Sequence, residues 1–325
     1  MARRVAEIGI GRQVVRNDFD HLPIFKEMRR VTDDHGNVFV RIPKFYIRKT
    51  STAGKLTIQI SKAKITGSYL PKCFWDFDKN RELRYVDVGA YVASLNGTRL
   101  ESKSGATPLL ARTISQFRDF ARNNGTGYQQ LDIHVIDMLQ SLFYVEFATL
   151  NSQSIHPGYT GGTAVVRTGG TDGVVASSGA MGARNTNQFK YRGIEDLWGH
   201  VWQFADGLNI INHQAWVCEN AEQYASDVFA SPYVRLSYRN SGSNGFVREM
   251  GFDPNRPYAQ LPTVTNGANE STYYADSYWQ SAGQRIARFG GWSDGAAAGI
   301  SYWHLDSASS TPSWTVGGRL VRKPL

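Results

Sequence analysis

The chain has 325 residues with a formal net charge of +8, 12% aromatic residues and 20% charged residues. Its 32 glycines and its shortage of charge exclude a coiled coil and a solvated disordered tail, since average soluble chains carry about 7% Gly and about 25% charged residues. No apolar run approaches the roughly 18 residues of a membrane span, so no membrane insertion is expected.

The stretch from Met1 to Glu7 has basic residues but no apolar region after it, so no secretory signal is expected and synthesis in a cytosol is. Cys73 and Cys218 read as separate free thiols rather than as a bridge framework or a metal site. The basic surplus is concentrated before residue 50, but Glu7, Asp18, Asp20, Glu27, Asp33 and Asp34 are interleaved with it. Such mixing fits a solvated or interface-forming segment and not a phosphate-tracking stripe, so no nucleic-acid binding is expected.

Taken in chain order, Asn37 to Ile47 alternates and is interrupted by Pro43, which predicts two strands after a turn at Asp34 to Asn37. Residues 56–70 alternate again, and Tyr85 onward is the clearest strand of the first half. Thr113 with Gln116 forms a capping-box pattern, with Ile114, Phe117, Phe120 and Ala121 on one helical face and a stop at Asn123 to Gly125. A second helix is predicted from an Asp132 cap towards Thr149, apolar nearly all round and therefore buried. His134 on it reads as a satisfied core residue. Thr160-Gly-Gly-Thr163 recurs at Thr168-Gly-Gly-Thr171, which predicts a hairpin, with an exposed flap as the plain expectation. From residue 193 on, frequent Gly, Asn, Ser and Pro predict short strands and long ordered loops. The only break drawn is near residue 50, giving an N-terminal segment 1–50 and one folding unit 51–325.

Seven of the eight tryptophans lie between Trp198 and Trp314, and from Phe289 to Gly318 only Asp294 and Asp306 are formally charged. Rigid aromatics among Gly, Ala, Ser and Thr match the composition of antibody-like binding loops. A Gly-rich core of loops packed around Trp would have the same composition, so both readings stay open. The sequence holds no Gly-x-Ser-x-Gly elbow, no Walker loop and no His or Cys at metal-ligand spacing.

The most specific segment runs from Gly193 to Gly207. It resembles the Gly-x-x-Asp-x-x-Gly-Asn-Val-Trp-Glu-Trp signature of formylglycine-generating enzymes and related C-type-lectin-fold proteins. Asp196, Trp198, Gly199, Val201 and Trp202 match in place; His200 stands for Asn, and Gln203-Phe204 for Glu-Trp. The similarity continues in order through the Tyr85 strand and the two helices. It then reaches Arg288-Phe-Gly290-Gly291-Trp292 and Gly317-Gly318-Arg319, together covering most of 85–325. The resemblance implies an α+β C-type lectin fold with two helices, short antiparallel strands and long ordered loops.

The oxidase activity is not carried over. Its reactive cysteine pair lies after the Gly-Gly-Trp element, and here no Cys follows Cys218; Ser301 to His304 cannot do thiolate chemistry. The chain is similar instead to the lectin-fold proteins of phages and prophages, including tail-tip adhesins and variable proteins of diversity-generating retroelements. That resemblance implies a virion protein of the phage tail, homotrimeric, docked through residues 1–50 to other tail proteins. It implies a host cell-surface receptor bound through the interval 293–316 and its flank. The expected contacts are Trp279, Trp292, Ser293, Asp294, Tyr302, Trp303, His304, Asp306 and Ser307, with core packing as the competing reading for Trp292 and Trp303 above all. A structural or decoration role in the virion is the second reading, and an enzyme of unknown type the third. No cofactor is expected. Calcium has one weak pointer: Asp253-Pro254-Asn255 resembles the Glu-Pro-Asn of sugar-binding lectins, but the Trp-Asn-Asp partner is missing, with Trp292-Ser293-Asp294 a poor substitute. A plain turn residue is the preferred reading of Asp253.

Overall fold

The computed structural model describes residues 4–8, 19–52, 55–158, 160, 165–173, 180–182, 188–281 and 285–325. It is an α+β structure in which two α-helices lie among several small, mostly antiparallel sheets. Helix α1 (Ile114–Arg122) starts at the predicted capping box: the Thr113 hydroxyl accepts from the Gln116 backbone and the Gln116 side chain accepts from the Thr113 backbone. Helix α2 (Ile133–Phe147) is capped by the Asp132 carboxylate, which accepts from Val135 N–H at 2.8 Å. Every residue of α2 is buried, as its all-round apolarity demands. Two of its polar residues are paired: His134 Nε2 meets Cys218 O at 3.2 Å, and Lys49 Nζ meets Asp137 at 2.5 Å. Both cysteines are buried and free.

The largest antiparallel sheet has the order Tyr128–Gln130, Leu320–Arg322, Tyr85–Gly89, Val38–Pro43 and Arg29–Thr32. The C-terminal strand is thus inserted between two strands of the first half. The Tyr46–Thr52 strand turns back and pairs along its whole length with Lys55–Ser61. The break drawn near residue 50 therefore falls inside a hairpin, and residues 29–43 belong to the central sheet. Local patterning missed this because their partner strand lies more than forty residues downstream.

A second sheet is built on the long Trp202–Ile211 strand, flanked by Gln214–Val217 and Arg285–Phe289. Val316–Gly317 joins its start in parallel, Trp202 opposite Val316. A third sheet holds Gly245–Phe246, Ser277–Gln280 and Trp303–Leu305, the last two parallel. After residue 193 the described residues contain only 3-10 turns as helix, as the punctuation of the sequence predicts.

The Thr-Gly-Gly-Thr repeat differs from expectation. Residues 161–164 and 174–179 lie outside the described residues, but Thr168 to Gly173 forms turns rather than a strand, and Thr168 and Thr171 are buried. The Glu195 carboxylate accepts from Gly169 N–H at 2.7 Å, Thr171 N–H at 2.9 Å and the Thr171 hydroxyl. This half of the repeat is therefore a pinned turn and not an exposed flap.

Candidate functional site

Distant parts of the signature meet at one buried side chain. Arg319 is fully enclosed, and its guanidinium donates to Gln203 Oε1 (2.9 Å), Gly89 O (2.9 Å), Glu195 O (2.7 Å) and Asp196 O (2.9 Å). Burial lowers its pKa to about 10, opposed by the nearby Asp196 and Glu195 carboxylates. Gln203 completes the link by donating to Asp196 O and Leu197 O. His200, the departure from the pattern, is buried with Nδ1 3.0 Å from Asp196 Oδ2 and Nε2 accepting from Val166 N–H.

Gly193, Asp196 and Gly199 all take positive φ in this segment. Trp198 is enclosed between Phe143 and Phe189. Gly290 has φ +73°, and a Cβ there would lie 2.8 Å from Trp198 Cα; one at Gly291 would lie 2.3 Å from Trp202 Nε1. Gly318 lies equally close to the Phe117 ring of α1. The signature residues thus converge on one joint between the two larger sheets and α1, and their role there is architectural.

Beside this joint lies a patch of rings and carboxylates. Asp294 sits on the 3-10 turn Trp292–Ala297, where it accepts from Trp202 Nε1 at 2.7 Å and Tyr302 OH at 3.0 Å. Burial raises the Asp294 pKa, against these two hydrogen bonds, and burial likewise raises that of Tyr302. The His304 ring packs edge-on against Trp202 at 4.3 Å, with Trp279 at 6.5 Å and Tyr302 at 6.2 Å. Its Nε2 is 3.0 Å from Asp306 Oδ2. The Ser307 hydroxyl donates to Asp306 Oδ1 at 3.2 Å.

Strand alternation decides which rings face outward. In the parallel pairing, Trp279 is opposite His304, and Tyr278 is opposite Trp303. Tyr278 and Trp303 are both enclosed on the core side, while Trp279 is 49% exposed.

Of the nine expected contact residues, the structure therefore brings together Trp279, Asp294, Tyr302, His304, Asp306 and Ser307. Trp292 and Ser293 share the turn with Asp294, Trp292 partly buried and Ser293 exposed. Trp303 is a correction: its indole is core. Tyr302 and His304 are also buried, so they shape the patch from beneath rather than offer area to a partner.

The sequence reading passed over Trp314, which is 78% exposed, the most exposed large hydrophobic residue among those described. The Thr315 carbonyl beside it accepts from Trp202 N–H at 3.1 Å, so this chain runs alongside the patch. The signal was a Trp set in the small, polar run Pro312 to Thr315, inside the interval singled out by composition. Asp253 is a buried turn residue, its carboxylate accepting from the Ser237 and Asn255 backbone N–H groups.

In comparison with known proteins, no family model matches the chain and no curated protein does.

Proposed function

We propose that this chain is a phage tail-tip or tail-fibre protein of C-type lectin type that binds a host cell-surface receptor through the face carrying Trp279 and Trp314. The observation that carries the reading is the exposure of these two indoles. Among the described residues the only other large hydrophobic exposed to this degree is Val234. A monomer gains nothing from leaving tryptophan in water, whereas indoles are the side chains from which binding hot spots are most often built. The framework of half-buried Asp294 and buried Tyr302 and His304 holds Trp202 and the neighbouring turn in one arrangement, which lowers the entropy lost on binding. The lectin assignment is supported by the convergence of the Gly193 to Gly207 segment, Gly290, Gly291 and Arg319 on one joint. Homotrimeric assembly and attachment to other tail proteins through the N-terminal part go with that resemblance.

The test is adsorption of labelled protein to bacterial cells. Trp279→Ala and Trp314→Ala are each expected to weaken binding by about 2 kcal/mol or more without loss of fold. If the folded double variant binds cells as the parent does, the reading fails. A face found covered by another virion subunit in particles would favour the decoration role instead.

A further inference from the structure

Away from the tryptophan face, two clefts adjoin on the Tyr46–Thr52 and Lys55–Ser61 hairpin and share Lys64 as a common wall. The first, about 320 Å³, is lined by Tyr46, Trp75, Tyr258 and Leu70, with Ser68 and Asn255 at its rim. The second, about 290 Å³, is lined by Arg48, Gln59, Lys64, Ile65 and Thr66. Both volumes lie at the lower end of the range for small-molecule sites, about 300 Å³ upward.

Charge is distributed unevenly along them. The two acids of the first cleft are already neutralised: Glu82 accepts from Lys44 (2.6 Å) and Tyr46 OH (2.7 Å), and Glu219 from Lys72 (3.0 Å) and Tyr258 OH (3.3 Å). Arg48 and Lys64, in contrast, form no ion pair within 4 Å among the described residues, although Lys64 acts at longer range on Glu82, and they stand in the same cleft. The wall is rigid. The Ser68 hydroxyl donates to Ile65 O and accepts from Ile65 N–H, closing the turn, and Gly67 at φ +74° lets the Arg48 side chain lie across it.

We propose that this double cleft binds an acidic saccharide. Its carboxylate or phosphate would meet Arg48 and Lys64, and the apolar face of a pyranose ring would pack on the half-buried Trp75, with Tyr46 supporting the cleft floor from beneath. Charge-assisted hydrogen bonds select the anion, and the Trp75 indole, which has Lys72 Nζ 5.9 Å from its ring centre, offers flat apolar area with a polar edge. Ser68, Thr66, Gln59 and Asn255 supply the hydroxyl and amide groups that sugar hydroxyls pair with. The site stands independently of the receptor-binding reading, because none of its lining residues belongs to the Trp279 and Trp314 face.

Titration calorimetry of the full chain with tetragalacturonate, its methyl ester and tetraglutamate tests the proposal. Tetragalacturonate is expected to bind at low salt, with the neutral ester at least about tenfold weaker. Lys64→Gln and Trp75→Ala are each expected to weaken the acidic sugar by about fivefold or more, and Trp279→Ala to leave it unchanged. Absence of binding at millimolar sugar, equal affinity for the ester, or an unaltered Lys64→Gln variant overturns the site. Equal binding of tetraglutamate overturns the saccharide assignment in favour of an acidic peptide. Loss of sugar binding in Trp279→Ala alone would assign the sugar to the tryptophan face and end this proposal, whereas failure of cell adsorption with sugar binding intact would end only the receptor reading.

Discussion

Arg319 shows how a single residue specifies the joint on which the candidate face rests. A buried guanidinium carries a heavy desolvation cost, and here its hydrogen bonds go to three carbonyls and one amide on two distant stretches, at Gly89 and within 195–203. Lysine keeps the charge but loses the planar fork, so Gly89 O, Glu195 O and Asp196 O could not all stay satisfied. Arg319→Lys is expected to lower stability by about 3 kcal/mol or more, read from urea unfolding. A loss within about 0.5 kcal/mol would mean that other donors serve those carbonyls. Asp294 works at the same scale near the surface. Asp294→Ala leaves the Trp202 indole N–H and the Tyr302 hydroxyl without their acceptor. The expected cost is about 1–3 kcal/mol, with a shift in the Trp202 indole N–H resonance that marks its release. An unmoved resonance would show that the indole is held by packing alone.

At the scale of elements, local and non-local control separate cleanly. Removing the α1 cap with Thr113→Ala should cost about 1 kcal/mol, because one helix N-terminus loses one acceptor. Gly290→Ala should cost more, about 2 kcal/mol or above. It adds a methyl 2.8 Å from Trp198 Cα and places alanine at φ +73°. Thermal melts that rank the two in the opposite order would contradict this account. The same division explains what could be read in advance. Both helices were legible because cap and period lie within about fifteen residues, and α2 declared its burial by being apolar nearly all round. The Tyr85 and Val38 strands were legible by alternation, but their pairing was not, so residues 29–43 were drawn apart from the sheet they belong to. At the candidate face, composition located the segment from Phe289 to Gly318, and the resemblance implied Trp279 and Asp294 as contacts. It could not tell that Trp303 points inward, because a three-residue strand has too short a pattern to show a face. That orientation follows from the parallel pairing of Trp279 with His304, a contact between separate strands. The turn at Thr168 to Thr171 was misjudged for a similar reason: what pins it is Glu195, more than twenty residues away.

For the molecule as a whole, the buried titratable groups set a preference in pH. Asp276 joins three loops: it accepts from Ser301 N–H at 2.6 Å, Gln153 Nε2 at 2.6 Å and the Ser152 hydroxyl at 3.5 Å. Burial nevertheless pushes its carboxyl up from 3.8 to about 8. The folded chain thus holds this proton more tightly than the unfolded chain, so its contribution is full below about 4 and is lost as pH rises towards 8. His134 acts in the opposite sense. Burial pushes its imidazole down from 6.5 to about 3, so its contribution is present above 6.5 and is lost as pH falls towards 3. Each slope is at most about 1.4 kcal/mol per pH unit. Between about 4 and 6.5 the two oppose one another, and from 6.5 to 8 His134 no longer offsets Asp276. Glu146 and Glu195 are raised in the same direction as Asp276, chiefly by burial. Stability is therefore expected to be higher at pH 6 than at pH 8, with the loss centred on the loops beneath Ser301 and the tryptophan face. Urea titrations at the two pH values provide the check. Asp276→Asn should flatten the decline above 6.5 even where the variant is less stable throughout, and His134→Gln should steepen the fall between 4 and 6.5. A parent chain equally stable at pH 6 and 8, or an Asn variant that keeps the full decline, would show that Asp276 is ionised in the fold and that its three donors outweigh its burial.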